Sequence, residues 1–511
     1  EVVGGMAVVN GTVSGAPTYV GPNGTLGGSG TLGDTRVAGT IAPGNSIGTL
    51  TIDGNYVHEA GARFVAELLP PDQADLLRVT GTATLNGGTL VLSSEAGQPF
   101  VLGQQYQLLT ADGGIVGNFA SVDNSNLSPF LSVSLLQGAG TFGVDVIRGA
   151  ALATAAGTPN QSAIAASLDV LPDSSSLLRA TTQLSAAEAR GAFDGLSGEI
   201  HASAQQVLLE GSRLVRDAAL GRAGGNAFDV EAGRDTGAWV EIQHQGGEIA
   251  ADGNAARARY SGNAVLVGID HAFDAGWRIG VFGGTGDTDF NVRGRGSRGE
   301  ASSTHVGVYA GTSWGSFGLS LGHARSQNEV EINRTVAFRG YSDALASRYD
   351  ADSSQTFVDV GYRFARGRLE LEPYVQYAHV EVDTDGFSER GGAAALAGRG
   401  AEARADLSTV GLRLATHLAG SEQSDAWLSL RANLGYRHAS GDQVRHARLG
   451  LVDGGEAFDV ASPAIRDEAL LLQIGAAARL SANSQLDLGL SHVDADVAND
   501  TGINARFTVN F

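Results

Sequence analysis

From about Ala238 to the C-terminus, apolar and polar residues alternate with a period of two in one segment after another. The final ten residues show it most strictly. Ile503, Ala505, Phe507, Val509 and Phe511 are apolar, and Asn504, Arg506, Thr508 and Asn510 lie between them. Such alternation predicts a strand that is apolar on one face and polar on the other. The same pattern sets Leu428, Leu430, Ala432, Leu434 and Tyr436 against Trp427, Ser429, Arg431, Asn433 and Arg437. It sets Leu470, Leu472, Ile474, Ala476, Ala478 and Leu480 against Gln473, Arg479 and Ser481. Twelve such strands are expected, starting near Ala238, Asn263, Gly276, Ser302, Ser316, Asp350, Arg368, Ala401, Ser424, Arg466, Ser484 and Asp500.

The connections alternate as well. Short turns fall at Asp274–Gly276, Trp314–Ser316, Arg366–Arg368 and Ala482–Ser484. Longer polar links are expected at 250–262, 291–301, 333–349, 384–400 and 439–465, with a short one near Ala498. Strands that are greasy on one side and wet on the other, joined by short turns at one end and long loops at the other, describe an outer-membrane β-barrel. An even strand count that begins with a long loop puts both chain ends of the barrel on the periplasmic side. Trp239, Trp277, Trp314 and Trp427 fall near strand ends, where an aromatic girdle is expected.

Ahead of the barrel the period changes. Ser185-Ala186-Ala187-Glu188 has the form of a capping box. The stretch from there to Leu220 lacks proline, is rich in helix formers and carries Arg213, Arg216 and Asp217 near its end, with Arg222 just beyond. A helix that is polar or small all round is solvated or sits in a wet channel. It is therefore expected to thread the barrel, with Arg213, Arg216 and Arg222 near lumen carboxylates. Arg431, Arg437, Asp359, Arg363, Glu370 and Glu372 are expected to face the lumen, solvate it and pair with the helix.

Residues 1–150 have another texture. Gly39-Thr40-Ile41-Ala42 to Ile52 and Gly81-Thr82-Ala83 to Leu92 are short β pulses with glycine at the corners. Quasi-regular pulses of this kind predict the coils of a parallel β-solenoid, read as right-handed. The less regular stretch from Gly54 to Arg148 is expected to cap its open edge. The expected organisation is a solenoid end with its cap at 1–150, a linker at 151–184 with a short helix near 160–168, a pore helix and approach to the barrel at 185–235, and a barrel at 236–511.

Composition narrows the setting. Glycine is abundant at 73 of 511 residues and only 17% are charged, which suits strands and turns rather than disorder. There is no cysteine, so hydrogen-bonded β-structure rather than disulfides must hold the fold. Every basic residue is Arg. A net charge of −21 argues against a nucleic-acid partner. No apolar run reaches the length of a transmembrane helix. An exported chain opening at Glu1 without a leader is read as a processed form of a longer precursor.

Several short motifs tempt and fail. Gly44-Asn45-Ser46-Ile47-Gly48 and Gly311-Thr312-Ser313-Trp314-Gly315 match G-x-S-x-G but precede strand-like sequence, where a nucleophile elbow needs a helix. Gly28/Gly30/Gly33 and Gly294/Gly296/Gly299 open no helix that could hold a pyrophosphate. Asp350-Ala351-Asp352 and Asp383-Thr384-Asp385-Gly386 lack the downstream Glu of a calcium loop, and the histidines show no zinc spacing. No catalytic residue, metal site or cofactor is expected.

The order of solenoid end, helix and twelve-stranded barrel resembles the type Va autotransporters. Pro43 to Ile52 followed by Ala74 to Ala83 is similar to the autochaperone region at the C-terminal end of their passengers. Phe193-Asp194-Gly195-Leu196-Ser197-Gly198-Glu199-Ile200-His201-Ala202-Ser203 is similar to the segment leading into their translocators. The resemblance implies an outer-membrane protein that exports its own N-terminal passenger to the cell surface. It implies contact with outer-membrane lipid and lipopolysaccharide. Phe507, Val509 and Phe511 would be the signal for the barrel-assembly machinery, with periplasmic chaperones on the way. A host or bacterial surface ligand would belong to the passenger, and the barrel would be monomeric. Members that cut themselves do so after an Asn within the helix. This helix has none, and the nearest bond, Asn226–Ala227, reads better as a flexible approach to the first strand. The alternatives are an upstream subtilisin-like serine protease or esterase carried by the same translocator, and a surface adhesin.

Overall fold

From Val20 to Leu109 most of the large apolar residues point inward. The computed structural model describes residues 1–511 apart from 224–235, 275, 420–426, 443, 465–467 and 496–497. The described residues form two compact units. The first comprises Glu1–Ala156, Leu168–Ala192 and Phe338–Tyr341, the second Gly157–Ser167, Phe193–Ala337 and Ser342–Phe511. In the first, three ladders of short parallel strands stack coil on coil. One ladder runs through Thr12–Val13, Thr31–Leu32, Thr49–Ile52, Leu76–Val79 and Gln105–Ala111. The long strand Thr18–Gly28 feeds the other two, through Thr35–Val37, Tyr56–His58 and Ala83–Asn86 on one side and Thr40–Pro43, Arg63–Leu69 and Thr89–Ser94 on the other. Leu50, Ile52, Phe64, Leu77, Val79 and Leu90 line its core. This is a parallel β-solenoid, and its coils stay regular through Ser121–Asp123. The expected cap beginning at Gly54 is thus too long. The antiparallel hairpin Leu131–Gln137 and Thr141–Arg148 ends one ladder by pairing with Gln105–Ala111. Register between coils, not glycine spacing, keeps residues 54–123 in line.

Four α-helices follow among the described residues: α1 (Pro159–Asp169), α2 (Ser176–Thr182), α3 (Ala186–Leu196) and α4 (Ile200–Arg222). The Ser185 box forms. The Ser185 amide donates to Glu188 Oε2 at 2.8 Å and the Glu188 amide to Ser185 Oγ at 3.3 Å. The single expected helix is broken at Ser197–Glu199, where Gly198 takes a φ of +71° that a side chain resists.

The second unit is a closed antiparallel barrel. Its twelve described strands are β1 (Thr236–Ile249), β2 (Ala258–Ala272), β3 (Trp277–Val292), β4 (Ser297–Trp314), β5 (Phe317–Phe338), β6 (Tyr341–Tyr362, continued by Phe364–Arg366), β7 (Leu369–Thr384), β8 (Ala401–Ala419), β9 (Leu428–Gly441), β10 (Glu468–Arg479), β11 (Ser484–Ala495) and β12 (Ala498–Asn510). β1 pairs with both β2 and β12, and Phe511 donates its amide to Thr236 O at 2.9 Å, so the wall closes on itself. A closed wall leaves no unpaired edge, the condition for β-structure to cross lipid. Parity puts Ile242, Val265, Val281, Val306, Ile474 and Leu488 on the outside, all exposed.

Two of the expected links are strand. Asn333 to Tyr349 continues β5 and β6 around a two-residue turn at Arg339–Gly340, and Asn291 to Ala301 holds only a four-residue turn. Polar or small side chains on the outward face hid these extensions, since strands that rise out of lipid need no apolar outer side. The two long links carry strands of their own, Phe387–Ser388 and Leu396–Gly398 in one and His446–Leu451 and Phe458–Ala461 in the other, which pair into a small sheet. Trp239 is not a girdle residue. It shares the inward parity of Glu241 and Gln243, is 4% exposed, and donates its indole N–H to the Tyr309 hydroxyl at 2.8 Å.

Candidate functional site

The lumen is filled by α4. Ala, Leu, Gln, Glu and Arg dominate it and proline is absent, so the helix is intrinsically favoured. Most of its residues are buried on every side, although it lacks a strong apolar face. Small residues such as Ala202, Ser203, Ala204, Ser212, Ala218 and Ala219 let it fit among the inward side chains of the wall.

The polar side chains of α4 find partners on strands around the barrel. Arg213 pairs with Asp500 on β12 and lies 3.7 Å from Asp217. Arg216 donates to Gln355 Oε1 on β6 at 3.1 Å, and Gln355 donates to the Ser212 carbonyl at 2.8 Å. Arg222 grips Asp270 on β2 with two bonds, at 2.5 and 2.8 Å. Arg506 of β12 donates to the Ala218 carbonyl at 2.9 Å. Buried charges persist only when paired, and removing one partner of such a pair costs about 3–5 kcal/mol.

Of the expected lumen charges, Arg437 lies beside the helix, 3.9 Å from Glu210. The others pair mainly along the wall. Arg413 bridges Asp359 at 2.6 Å and Glu372 at 2.8 Å, Arg431 binds Asp487, and Arg363 lies 3.5 Å from Glu372. Charges on neighbouring strands meet more readily than charges across an occupied lumen.

The two ends of α4 are held at opposite ends of the barrel. At its start, Glu199 accepts from the Ala256 amide at 2.8 Å in the β1–β2 loop, and Arg295 bridges Glu199 and Asp194 at 3.2 and 2.8 Å. His201 meets Glu389 at 2.9 Å and stacks on Phe387, 4.0 Å between ring centres. Arg334 binds Glu389 at 2.7 Å and donates to the Gly195 and Leu196 carbonyls at 3.0 and 3.2 Å. All these wall and loop groups lie at the end that carries the long links. At the other end, Arg222 reaches Asp270, close to the short β2–β3 turn. Sequence reading missed the cluster of His201, Arg334 and Glu389. Its members are 133 and 55 residues apart, and no local pattern marks them.

Phe507 and Val509 fall on the outward face of β12, and Phe511 follows it, 58% exposed. Asn226 and Ala227 lie outside the described residues.

The autotransporter β-domain family model matches residues 238–491. Over 566 residues, covering 99% of this chain, the sequence is 28% identical to an extracellular serine protease of Serratia marcescens, of which 53% is covered. A second extracellular serine protease of that organism is 28% identical over 571 residues, with the same coverages. The chain spans about half the length of these curated relatives. Among solved structures, the translocator domain of the autotransporter NalP from Neisseria meningitidis aligns with a TM-score of 0.48 and 15% identity, over 60% of this chain and 97% of that one.

Proposed function

We propose, on the premise that the chain belongs to the autotransporters by its β-domain, that residues 236–511 are the outer-membrane translocator, that 185–235 are the segment left in the pore after export, and that the solenoid at 1–150 is the end of an exported passenger. One observation supports this most: α4 runs through the barrel with its first turn tied to the long-link end and its last residue to the short-turn end. In an outer-membrane barrel the long links face outward. Everything N-terminal to α4 has then crossed the membrane. Arg213, Arg216 and Arg222 hold the helix against the wall and close the pore behind the passenger. Phe507, Val509 and Phe511 are offered to the barrel-assembly machinery, with periplasmic chaperones before it and lipopolysaccharide around the finished barrel.

A second reading concerns the cargo. The relatives are extracellular serine proteases matched along nearly the whole of this chain, which favours a proteolytic passenger upstream of the solenoid over an adhesin. Protease shaving of intact cells tests the export reading. Antibodies to residues 1–150 should lose their epitope while a barrel fragment survives. Survival of both epitopes would mean that the solenoid stays in the periplasm.

A further inference from the structure

Two of the three helix arginines meet the wall at one place, the junction where the last strand closes on the first. Gly237 of β1 pairs directly with Asp270 of β2 and with Asn510 of β12. A Cβ on Gly237 would stand 2.2 Å from Arg222 Nη2, 2.7 Å from Asn510 Oδ1 and 3.1 Å from Asp270 Oδ1. The guanidinium therefore occupies the space over the glycine. Its Nη2 donates to Asp270 at 2.8 Å on one side of β1 and to Asn510 at 3.3 Å on the other.

Ten residues along β1 the arrangement recurs. Gly247 pairs with Tyr260 of β2 and with Asp500 of β12. The Tyr260 hydroxyl passes over that glycine, where a Cβ would come within 2.7 Å, and donates to Asp500 Oδ2 at 2.9 Å. The other oxygen of Asp500 takes Arg213 from the helix. Between the two crossings, Arg506 of β12 donates to Glu241, its register partner on β1, at 2.6 Å and to the Ala218 carbonyl of the helix. Arg216 serves as the contrast, since its partner Gln355 lies on β6, away from this junction.

We propose that α4 is a clasp on the barrel seam: Arg222 ties β12 to β2 across β1, and Arg213 holds the Asp500 carboxylate that Tyr260 of β2 reaches across β1, so that seating the helix and closing the barrel are one coupled event. The proposal rests on the reading of α4 as the helix left in the pore. Asp500 and Asn510 come from the last strand. Until β12 is paired, Arg213 lacks Asp500, its closest carboxylate, and keeps only the longer contact to Asp217, while Arg222 lacks Asn510. A buried guanidinium that loses a close partner is disfavoured, so the fully seated helix favours a closed wall and in turn holds it closed.

The chain has no cysteine, which permits a clean test. Full-length protein is refolded into phospholipid vesicles, and the unfolding rate of the barrel in urea is measured for the parent and for Arg222→Met, Arg213→Met, Asn510→Ala and Arg216→Met. Each is then repeated with a disulfide between Ile242→Cys and Ala505→Cys, register partners on the lipid face of the seam. The clasp predicts unfolding at least about tenfold faster for Arg222→Met and Arg213→Met, a smaller rise for Asn510→Ala, little for Arg216→Met, and loss of these differences once the seam is cross-linked. Equal effects from all three arginines, or differences that survive the cross-link, would overturn it. Arg222→Lys keeps the charge without the fork and covers the case in which Arg222→Met does not fold. It should unfold faster than the parent, and unchanged kinetics would count against the clasp. Ion conductance of the same barrels after deletion of residues 200–222 tests the plug separately. An unchanged conductance would remove the plug reading itself, whatever the seam kinetics show.

Discussion

The solenoid and the barrel are both written in alternating strands, yet they turn opposite faces inward. In the solenoid, Leu77 and Val79 point to the core while Arg78 points out. In the barrel, Leu488 and Leu490 point out, and Asp487 and Ser491 point into the lumen. The code is the same and the solvent is reversed, because water lies outside one and inside the other. The lesson is that alternation reports a two-sided strand, while the direction of its apolar side depends on what the closed structure excludes.

Truncation sharpens this contrast most. Leu77→Ala leaves a void in a close-packed core and should cost about 2–5 kcal/mol. Leu488→Ala leaves a space that lipid fills, so only the transfer term remains, about 1–2 kcal/mol. Urea titration of the solenoid and of the vesicle-bound barrel measures both, and equal losses would break the comparison. A charge comes next. Leu488→Arg should cost about 2–4 kcal/mol on the lipid face, and Gln485→Arg, on the lumen face of the same strand, under about 1 kcal/mol.

The solenoid has a pH dependence of its own. Asp75 accepts the Gly48 amide at 3.0 Å and the Glu67 amide at 2.9 Å. Burial outweighs those bonds and pushes its carboxyl up to about 7. A raised carboxyl binds its proton more tightly when folded, so solenoid stability should fall as pH rises from about 4 to about 7 and level off above. Asp75→Asn should flatten that slope. A slope unchanged in the variant would place its origin elsewhere. A small effect is also expected at the helix start, where Ser185→Ala should cost about 1 kcal/mol by thermal unfolding.

Much of the barrel was legible because each strand carries its own two-sided pattern. Twelve starts could be placed from residues such as Leu428 to Tyr436 alone. What escaped reading depends on partners distant in sequence. Trp239 looks like a girdle residue until its register with Gly268 turns it inward. The tops of β5 and β6 look like loop because no apolar side chain larger than Ala faces outward above the lipid. The charges of α4 could be named in advance, but Asp270, Asp500 and Gln355 become their partners only once the wall has closed. Local pattern identifies a strand, and long-range register selects what each inward side chain meets.

The direction in which the chain crosses the membrane is the claim on which the rest depends. Single cysteines at Gly191, ahead of α4, and at Asn483, in the short turn between β10 and β11, can be tested on intact cells with a membrane-impermeant maleimide. The account predicts labelling of Gly191→Cys on intact cells and of Asn483→Cys only after the outer membrane is permeabilised. The reverse pattern would contradict it.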